Sequence, residues 1–332
     1  MRVVRRSKSP EAFAGTACTE VAEGLYPLHF SDLGRSYYAG VAQEKFNDKS
    51  FLVEDGGRIV ALVECDISGS ALGRFQSRLE IRFRPDAPYH IRKIAMRQIM
   101  AEFALLRAQA NVERIDIATA PKTDPDGLAA TALLSSGAVP VPVFVTEIDL
   151  SLSEKAIIDD YRSGHRQQMK WGEKNLALRF ADADNPDHDL FNRYREFHAH
   201  VAGRQTRGDA SWDAMFHFIK AGEGDIVFGF LGEDLVSATV VLDANGRSVY
   251  ASGVYDRSRF DLPLSHFALT TAILRARRRG ARTFEIGQVF VPQEDTKAAA
   301  IGYFKRGFSS RLTVHYIWNM PGETRAPVPA WP

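Results

Sequence analysis

Phe284-Glu285-Ile286-Gly287-Gln288 leads, after a short loop, to Ile301-Gly302-Tyr303-Phe304-Lys305-Arg306-Gly307-Phe308. An apolar run closed by glycine reads as a buried strand, and Thr296 to Arg306 reads as the helix that follows it. The helix delivers one lysine flanked by two phenylalanines. Open α/β sheets bind ligands at the ends of their strands, which is where this lysine falls. A cation held against an apolar floor suits a reaction that passes through an oxyanion, and one such group can be worth roughly 3 kcal/mol.

Working outward, Leu312 to Trp318 reads as the next strand. Upstream, Leu264 to Arg278 reads as a helix stopped by Gly280. Before it come strands at Ile226–Leu231, Leu235–Leu242 and Ser248–Val254, the last entered through the hairpin turn Asn245-Gly246. The first half repeats this order. Phe51–Val53 turns at Asp55-Gly56-Gly57 into Ile59–Cys65, and a further strand lies within Leu72–Phe83. Ile91, Ala95, Ile99, Phe103 and Leu106 share one helical face. Val112–Ala118, Gly127–Ser135 and Val141–Leu150 then read as strand, helix and strand. Corresponding elements lie roughly 170 residues apart, far beyond a solenoid period. The expected fold class is therefore α/β (α+β), with two tandem domains, each a mixed central sheet flanked by helices. The expected first domain is 1–150, with 312–332 a candidate addition to it. The expected second domain is 151–311. Between them Ser153 to Asn175 reads as a polar, basic helix with Ser151 and Glu154 as its capping box. The tail from Pro321 holds four prolines and reads as extended.

The 332 residues suffice for two ordinary domains, and a hydrophobic share of 45% lets each bury a core. The 42 basic and 41 acidic side chains leave a net charge of +1, which excludes coating nucleic acid by bulk charge and leaves room for a local basic groove. Cys18 and Cys65 form no metal pattern, and both are expected reduced and buried. No apolar run approaches the ~20 residues of a membrane span. The basic start, Met1 to Lys8, has no apolar stretch behind it. Cytoplasmic location and a monomer are the expectations. His198 and His200 lie two apart on an expected helix and face apart, so no metal site is expected. No Ser/His/Asp order proposes a hydrolase.

Hairpin, strand, helix, strand, helix, strand is the element order of the N-acetyltransferase (GNAT) core, and two such cores in tandem resemble the FemAB family of peptidyl and aminoacyl transferases. Four segments of the second half carry the resemblance. They are His165-Arg166-Gln167-Gln168-Met169-Lys170; Ala202-Gly203-Arg204-Gln205-Thr206-Arg207 with Trp212; Tyr250-Ala251-Ser252-Gly253 with Pro263-Leu264-Ser265-His266; and the Phe-Lys-Arg-Gly-Phe run. The resemblance implies an acyltransferase or aminoacyltransferase that forms an amide on a primary amine. Aminoacyl-tRNA is the favoured co-substrate and acyl-CoA the alternative, with no tightly bound cofactor. The implied acceptor is a small peptide or nucleotide-linked amine, such as a cell-envelope or natural-product precursor. The alternatives are an acyl-CoA-dependent enzyme acting on an amino sugar or amine, and a non-catalytic binding protein of degenerate transferase fold.

A GNAT pyrophosphate loop carries glycines whose N–H groups cradle phosphate. Here that place reads Asp256-Arg257-Ser258-Arg259-Phe260-Asp261-Leu262-Pro263, and in the first half Arg84-Pro85-Asp86-Ala87-Pro88-Tyr89. Neither has the glycines, which favours a donor held by side chains. On this reading Lys305 steadies donor phosphate or oxyanion, and a backbone N–H around Gly253 polarises the carbonyl. Asp256 or His266 takes the proton of the attacking ammonium. Arg166 and Lys170, with Lys174 at the next helical repeat, form an anion-binding wall. Arg204, Arg207 and Trp212 capture phosphate or carboxylate. Arg257, Gln288, Tyr250, Ser252 and Phe304 complete the donor- or acceptor-binding set. Each has a plain alternative. Phe304 and Phe308 are equally core packing, Lys305 a surface lysine, Arg166 with its neighbours a solvated face, and His266 a helix-start residue. The arginines at 275 and 277–279 suit the negative end of their helix.

Overall fold

The computed structural model describes residues 1–13, 32–42, 47–73, 79–120, 124–244, 246–289 and 296–321. Cys18, Asn245 and the tail beyond 321 lie outside them. The chain divides into two compact units. The first comprises 1–30, 42–143 and 314–332; the second comprises 31–41 and 144–313.

In chain order the elements are β1 (Arg2–Arg5), α1 (Asp32–Ala42), β2 (Asn47–Asp48), β3 (Phe51–Asp55), β4 (Arg58–Glu64), β5 (Asp66–Ser68), β6 (Ala71–Gly73), β7 (Leu79–Phe83), α2 (Tyr89–Ala110), β8 (Arg114–Thr119), α3 (Leu128–Ser135), β9 (Val139–Asp149), α4 (Glu154–Asp159) and α5 (Ser163–Asn175). There follow β10 (Ala177–Ala181), α6 (His188–Ala202), α7 (Asp209–Lys220), β11 (Gly224–Leu231), β12 (Asp234–Ala244), β13 (Arg247–Tyr255), α8 (His266–Arg278), β14 (Thr283–Val289), α9 (Thr296–Lys305) and β15 (Leu312–Pro321).

In the first unit β1, β3, β4 and β7 pair antiparallel, β7 pairs parallel with β8, and β8 pairs antiparallel with the end of β15. Ala95, Ile99, Phe103 and Leu106 of α2 are buried, as their helical spacing requires, against Phe51, Val63, Ile115 and Ile117. Trp318 Nε1 donates to Thr119 Oγ1 at 2.8 Å, so the buried indole keeps its hydrogen bond. Cys65 is buried in this unit.

In the second unit β10, β11, β12 and β13 pair antiparallel. Next come β14, parallel to β13, and the 144–149 part of β9, antiparallel to β14. The alternation of β11 and β12 divides the two faces. Val227 and Val241 face a cluster with Ala268, Leu269 and Ile273 of α8. Phe228 faces Tyr194 of α6 instead. Helix α5 packs on α8. At their crossing a Cβ on Gly172 would stand 2.4 Å from the Cβ of Phe267. Gly172→Ala is therefore expected to cost about 1–3 kcal/mol through overpacking. The midpoint of urea unfolding checks this, and an unchanged midpoint would show that the helices can part freely.

The expected helix over 153–175 is two helices. Ser153, not Ser151, caps the first, its Oγ accepting from Ala156 N at 3.2 Å. Ser151 instead donates its hydroxyl to Asp149 Oδ1 at 2.6 Å. The chain turns at Asp160–Arg162 because Asp160 accepts from Ser309 and Ser310 on the segment after α9.

Candidate functional site

Two parallel strands, β13 and β14, are joined only at their beginnings. Arg247, Ser248 and Val249 pair with Thr283, Phe284 and Glu285, and beyond those residues the ladder stops although both strands continue. Each strand carries a bulge near the parting. On β13 Tyr250 and Ser252 oppose successive residues of β12, leaving Ala251 as the extra residue. On β14 Ile286 is extra between Glu285 and Gly287. Bulges re-aim side chains and end pairing, and here they leave an opening with a backbone edge on each side.

The β13 bulge sends Tyr250 and Ser252 to opposite faces. Tyr250 packs on the cluster beneath α8, which Phe304 also joins. Ser252 turns toward α6, where Tyr194 donates its hydroxyl to Ser252 Oγ at 3.1 Å. Arg207 lies in the same place. Its Nη1 donates to the Tyr37 hydroxyl at 3.2 Å, and its Nη2 lies 3.5 Å from Ser252 Oγ. The guanidinium sits 4.7 Å over the Trp212 ring and is only 8% exposed, yet no described carboxylate pairs with it. Its Nε has no hydrogen-bond partner among the described residues. A buried cation without a counter-ion is costly, so an anion arriving here is strongly favoured. The surroundings fit that charge. Burial and then Arg207 lower the pKa of His198 to about 4, so the imidazole is neutral beside the guanidinium. Burial raises that of Tyr194 to about 12 and outweighs Arg207, which pulls it down. Both stay uncharged at neutral pH.

On the β14 side, Lys305 ends α9 and donates to the Gln288 carbonyl at 3.2 Å. A Cβ on Gly287 would lie 2.9 Å from the Lys305 Nζ, and Gly287 has φ +109°. Glycine is thus required twice over, by the backbone and by the ammonium above it. Burial lowers the pKa of Lys305, and the charge of Glu285 partly restores it. Lys305 is half-buried, its ammonium held against the strand rather than in bulk solvent. Behind it Phe304 and Phe308 meet the rings of His165 and His266, with centroids 4.6–5.8 Å apart. His165 Nε2 lies 2.9 Å from the Phe304 carbonyl, joining α5 to the helix that carries the lysine.

Other expected residues fall elsewhere. His266 is buried among those rings, and burial, then His165 and Arg162, lower its pKa to about 3, which makes it a poor proton acceptor. Asp256 is tied into a turn. It accepts from Ser258 N at 2.9 Å and Oγ at 2.7 Å and pairs with Arg259 at 3.3 Å, and the Ser258 bond foremost keeps its pKa low. It too is a weak base. Arg166 Nη1 donates to the carbonyls of Asp159 and Tyr161, closing α4, so it is not part of an anion wall; Lys170 and Lys174 are exposed. Arg204 and Arg257 are exposed. The loop after β13 turns its own N–H groups inward, from Ser258 to Asp256 and from Leu262 and Leu264 to carbonyls of the same loop. Few donors are left there to cradle a pyrophosphate. Among the described residues no cluster of three or more potential metal ligands occurs, and no helix is long and apolar enough to cross a membrane. Tyr37 and Tyr194 join the site unannounced by any motif.

No family model matches the chain, and no curated protein matches it. Solved structures do. The chain is similar to FemX, with a TM-score of 0.66 at 11% identity over 97% of each chain. It is similar to L-PGS from Bacillus licheniformis, with a TM-score of 0.55 at 13% identity over 86% of each chain. It is also similar to a tandem GNAT protein from the clavulanic acid biosynthesis pathway, with a TM-score of 0.51 at 14% identity, covering 98% of this chain and 99% of that one. The fold is thus of the FemAB-like, tandem GNAT kind, a mixed α/β architecture across nearly the whole chain.

Proposed function

We propose that this chain transfers an acyl or aminoacyl group from an activated donor to the primary amine of an acceptor that carries an anionic group. The observation that carries the reading is the arrangement about β13. On one side is an opening between parted strands, bordered by a desolvated ammonium. On the opposite face is a buried guanidinium with hydroxyl neighbours and no counter-charge among the described residues. Donor carbonyl in the opening and acceptor anion on Arg207 would bring an amine to the exposed backbone of Ser252 and Gly253. Direct attack then needs only positioning and charge stabilisation. With Asp256 and His266 both weak bases, the ammonium proton would leave through water or the substrate itself.

Aminoacyl-tRNA is the favoured donor. The self-bonded loop before α8 supports a donor held by side chains, and exposed Lys170 and Lys174 suit contact with phosphate. Acyl-CoA is the second reading, supported by the similarity to the tandem GNAT protein. A small peptide or nucleotide-linked amine, from a cell-envelope or natural-product precursor, has both the amine and the anion the acceptor needs.

A screen of charged tRNA and acyl-CoA donors against amine acceptors, read by mass spectrometry, tests the reading. An amide product is the expected result. Binding without product under every pairing would leave a non-catalytic binding protein. Salt separates the donors, because tRNA binding should weaken steeply as counter-ions are restored. Arg207→Gln is expected to raise the acceptor KM by about 10–100-fold, the loss of one or two charged hydrogen bonds, with donor KM unchanged. Equal effects on both substrates would place the anion on the donor instead.

A further inference from the structure

Gly253 is exposed on β13, beyond the last residue paired with β14. A Cβ there would lie 1.6 Å from the Tyr250 hydroxyl oxygen and 2.5 Å from its Cζ. Tyr250 therefore lies along its own strand with the hydroxyl over the bare backbone of residue 253, a position that only glycine permits. The ring is held by the cluster that also takes up Phe304, the neighbour of Lys305. The hydroxyl makes no hydrogen bond to any described residue. A phenol placed so carefully and left without a partner among the described residues is a donor awaiting an acceptor.

We propose that the Tyr250 hydroxyl donates the hydrogen bond that stabilises the oxyanion formed when the acceptor amine attacks the donor carbonyl. This rests on the transfer reading above and assigns a catalytic residue within it. In the step, the amine nitrogen forms the C–N bond as the carbonyl π pair moves to oxygen. Tyr250 keeps its proton and shares it with that oxygen. Collapse restores the carbonyl and breaks the C–O or C–S bond of the ester or thioester. The leaving oxygen or sulfur gains a proton, and the ammonium loses one through water. Burial, with Tyr194 and Tyr255 nearby, raises the pKa of Tyr250, so the phenol stays protonated throughout. Lys305, on the other border of the opening, neutralises charge without giving up its own proton. Tyr194 does not compete for the role, since its hydroxyl is engaged with Ser252 on the opposite face.

The experiment uses the full chain and whichever donor and acceptor give product. Tyr250→Phe keeps the ring and its packing, and is expected to lower kcat about 100-fold with both KM values within about threefold of wild type. Replacing Tyr250 with 3-fluorotyrosine, which keeps the hydroxyl, should preserve most of the turnover. Gly253→Ala should lose as much as Tyr250→Phe by displacing the phenol. The double variant should then be no worse than Tyr250→Phe alone, because both changes remove one interaction. An active wild type with undiminished Tyr250→Phe turnover, or a double variant in which the losses multiply, would overturn the tyrosine's role and leave the transfer reading standing. A wild type that transfers to no amine would overturn the transfer reading and this assignment with it.

Discussion

Lys305→Met should lower kcat by about 10²–10³-fold while leaving the protein folded. The magnitude follows from removing one preorganised charge at the place where negative charge develops in a water-poor site. The ammonium is positioned for that use. Its Nζ donates to the Gln288 carbonyl and stands over Gly287, where the strand has left its neighbour. Methionine fills the same stem without the charge. The pH profile distinguishes electrostatics from packing. Because burial lowers the lysine's pKa, the ammonium is lost as pH rises through a value below 10.5. The alkaline limb of kcat should fall there, and Lys305→Arg, whose guanidinium stays charged, should push that limb upward. The stability linkage has the opposite sense. A lysine with a depressed folded pKa binds fewer protons folded than unfolded in that window, so stability rises with pH across it. Lys305→Met should therefore melt no lower than wild type at neutral pH. Full turnover in Lys305→Met, measured at saturating donor and acceptor, would remove the lysine from the mechanism.

The sequence displayed the architecture because hydrophobic period and turn chemistry are local. The helical spacing of Ala95, Ile99, Phe103 and Leu106 and the glycine turn at 56–57 needed no distant partner to be read, and both formed where the pattern placed them. The site was legible in part. Arg204, Arg207 and Trp212 stood out as suited to an anion and Ser252 as a donor- or acceptor-binding residue; Arg207, Trp212 and Ser252 meet in space, and Arg204 is exposed. Tyr37 and Tyr194 did not, since a tyrosine on an amphipathic helix looks like core until a buried cation is found beside it. Arg166 misled for the reverse reason. Its spacing with Lys170 and Lys174 is that of a helix face, but the helix breaks one turn earlier, and the guanidinium closes the exposed carbonyls. His266 looked like a base because chemistry favours histidine, whereas burial among three other rings decides its protonation. The parted strands depend on two bulges and on pairing between strands far apart in the chain, and no local pattern encodes them.

Asp225→Asn is expected to destabilise the second unit by about 3–5 kcal/mol, the usual cost of breaking a buried ion pair from one side. Asp225 is fully buried at the start of β11, and its Oδ2 accepts from Arg275 Nε at 2.6 Å and from Arg279 Nη1 at 2.5 Å. Arg275 reaches on to Asp182 at 2.7 Å and Arg279 to Asp243 at 2.6 Å. The last turn of α8 is thereby fastened to β10, β11 and β12 at the end of the sheet opposite the opening. Of the arginines read from sequence as partners of the helix dipole, Arg275 and Arg279 are better described as partners of these carboxylates, while Arg277 donates to the Leu152 carbonyl and Arg278 pairs with Glu154. An amide at 225 keeps the shape but leaves two guanidinium groups short of their shared charge. Acid should act on the fastening through Asp182, whose side chain is only partly buried. At Asp182 burial is outweighed by the Asn185 N–H and Arg275, so its pKa is lowered and its contribution is lost as pH falls below the unfolded value of 3.8. Hydrogen exchange along β11 reads the effect locally, without requiring the whole chain to unfold in one step. Protection of Ile226 to Phe228 should drop in Asp225→Asn at pH 7. Protection equal to wild type would mean that the arginines find enough charge in Asp182 and Asp243 alone, and that the fastening lies there.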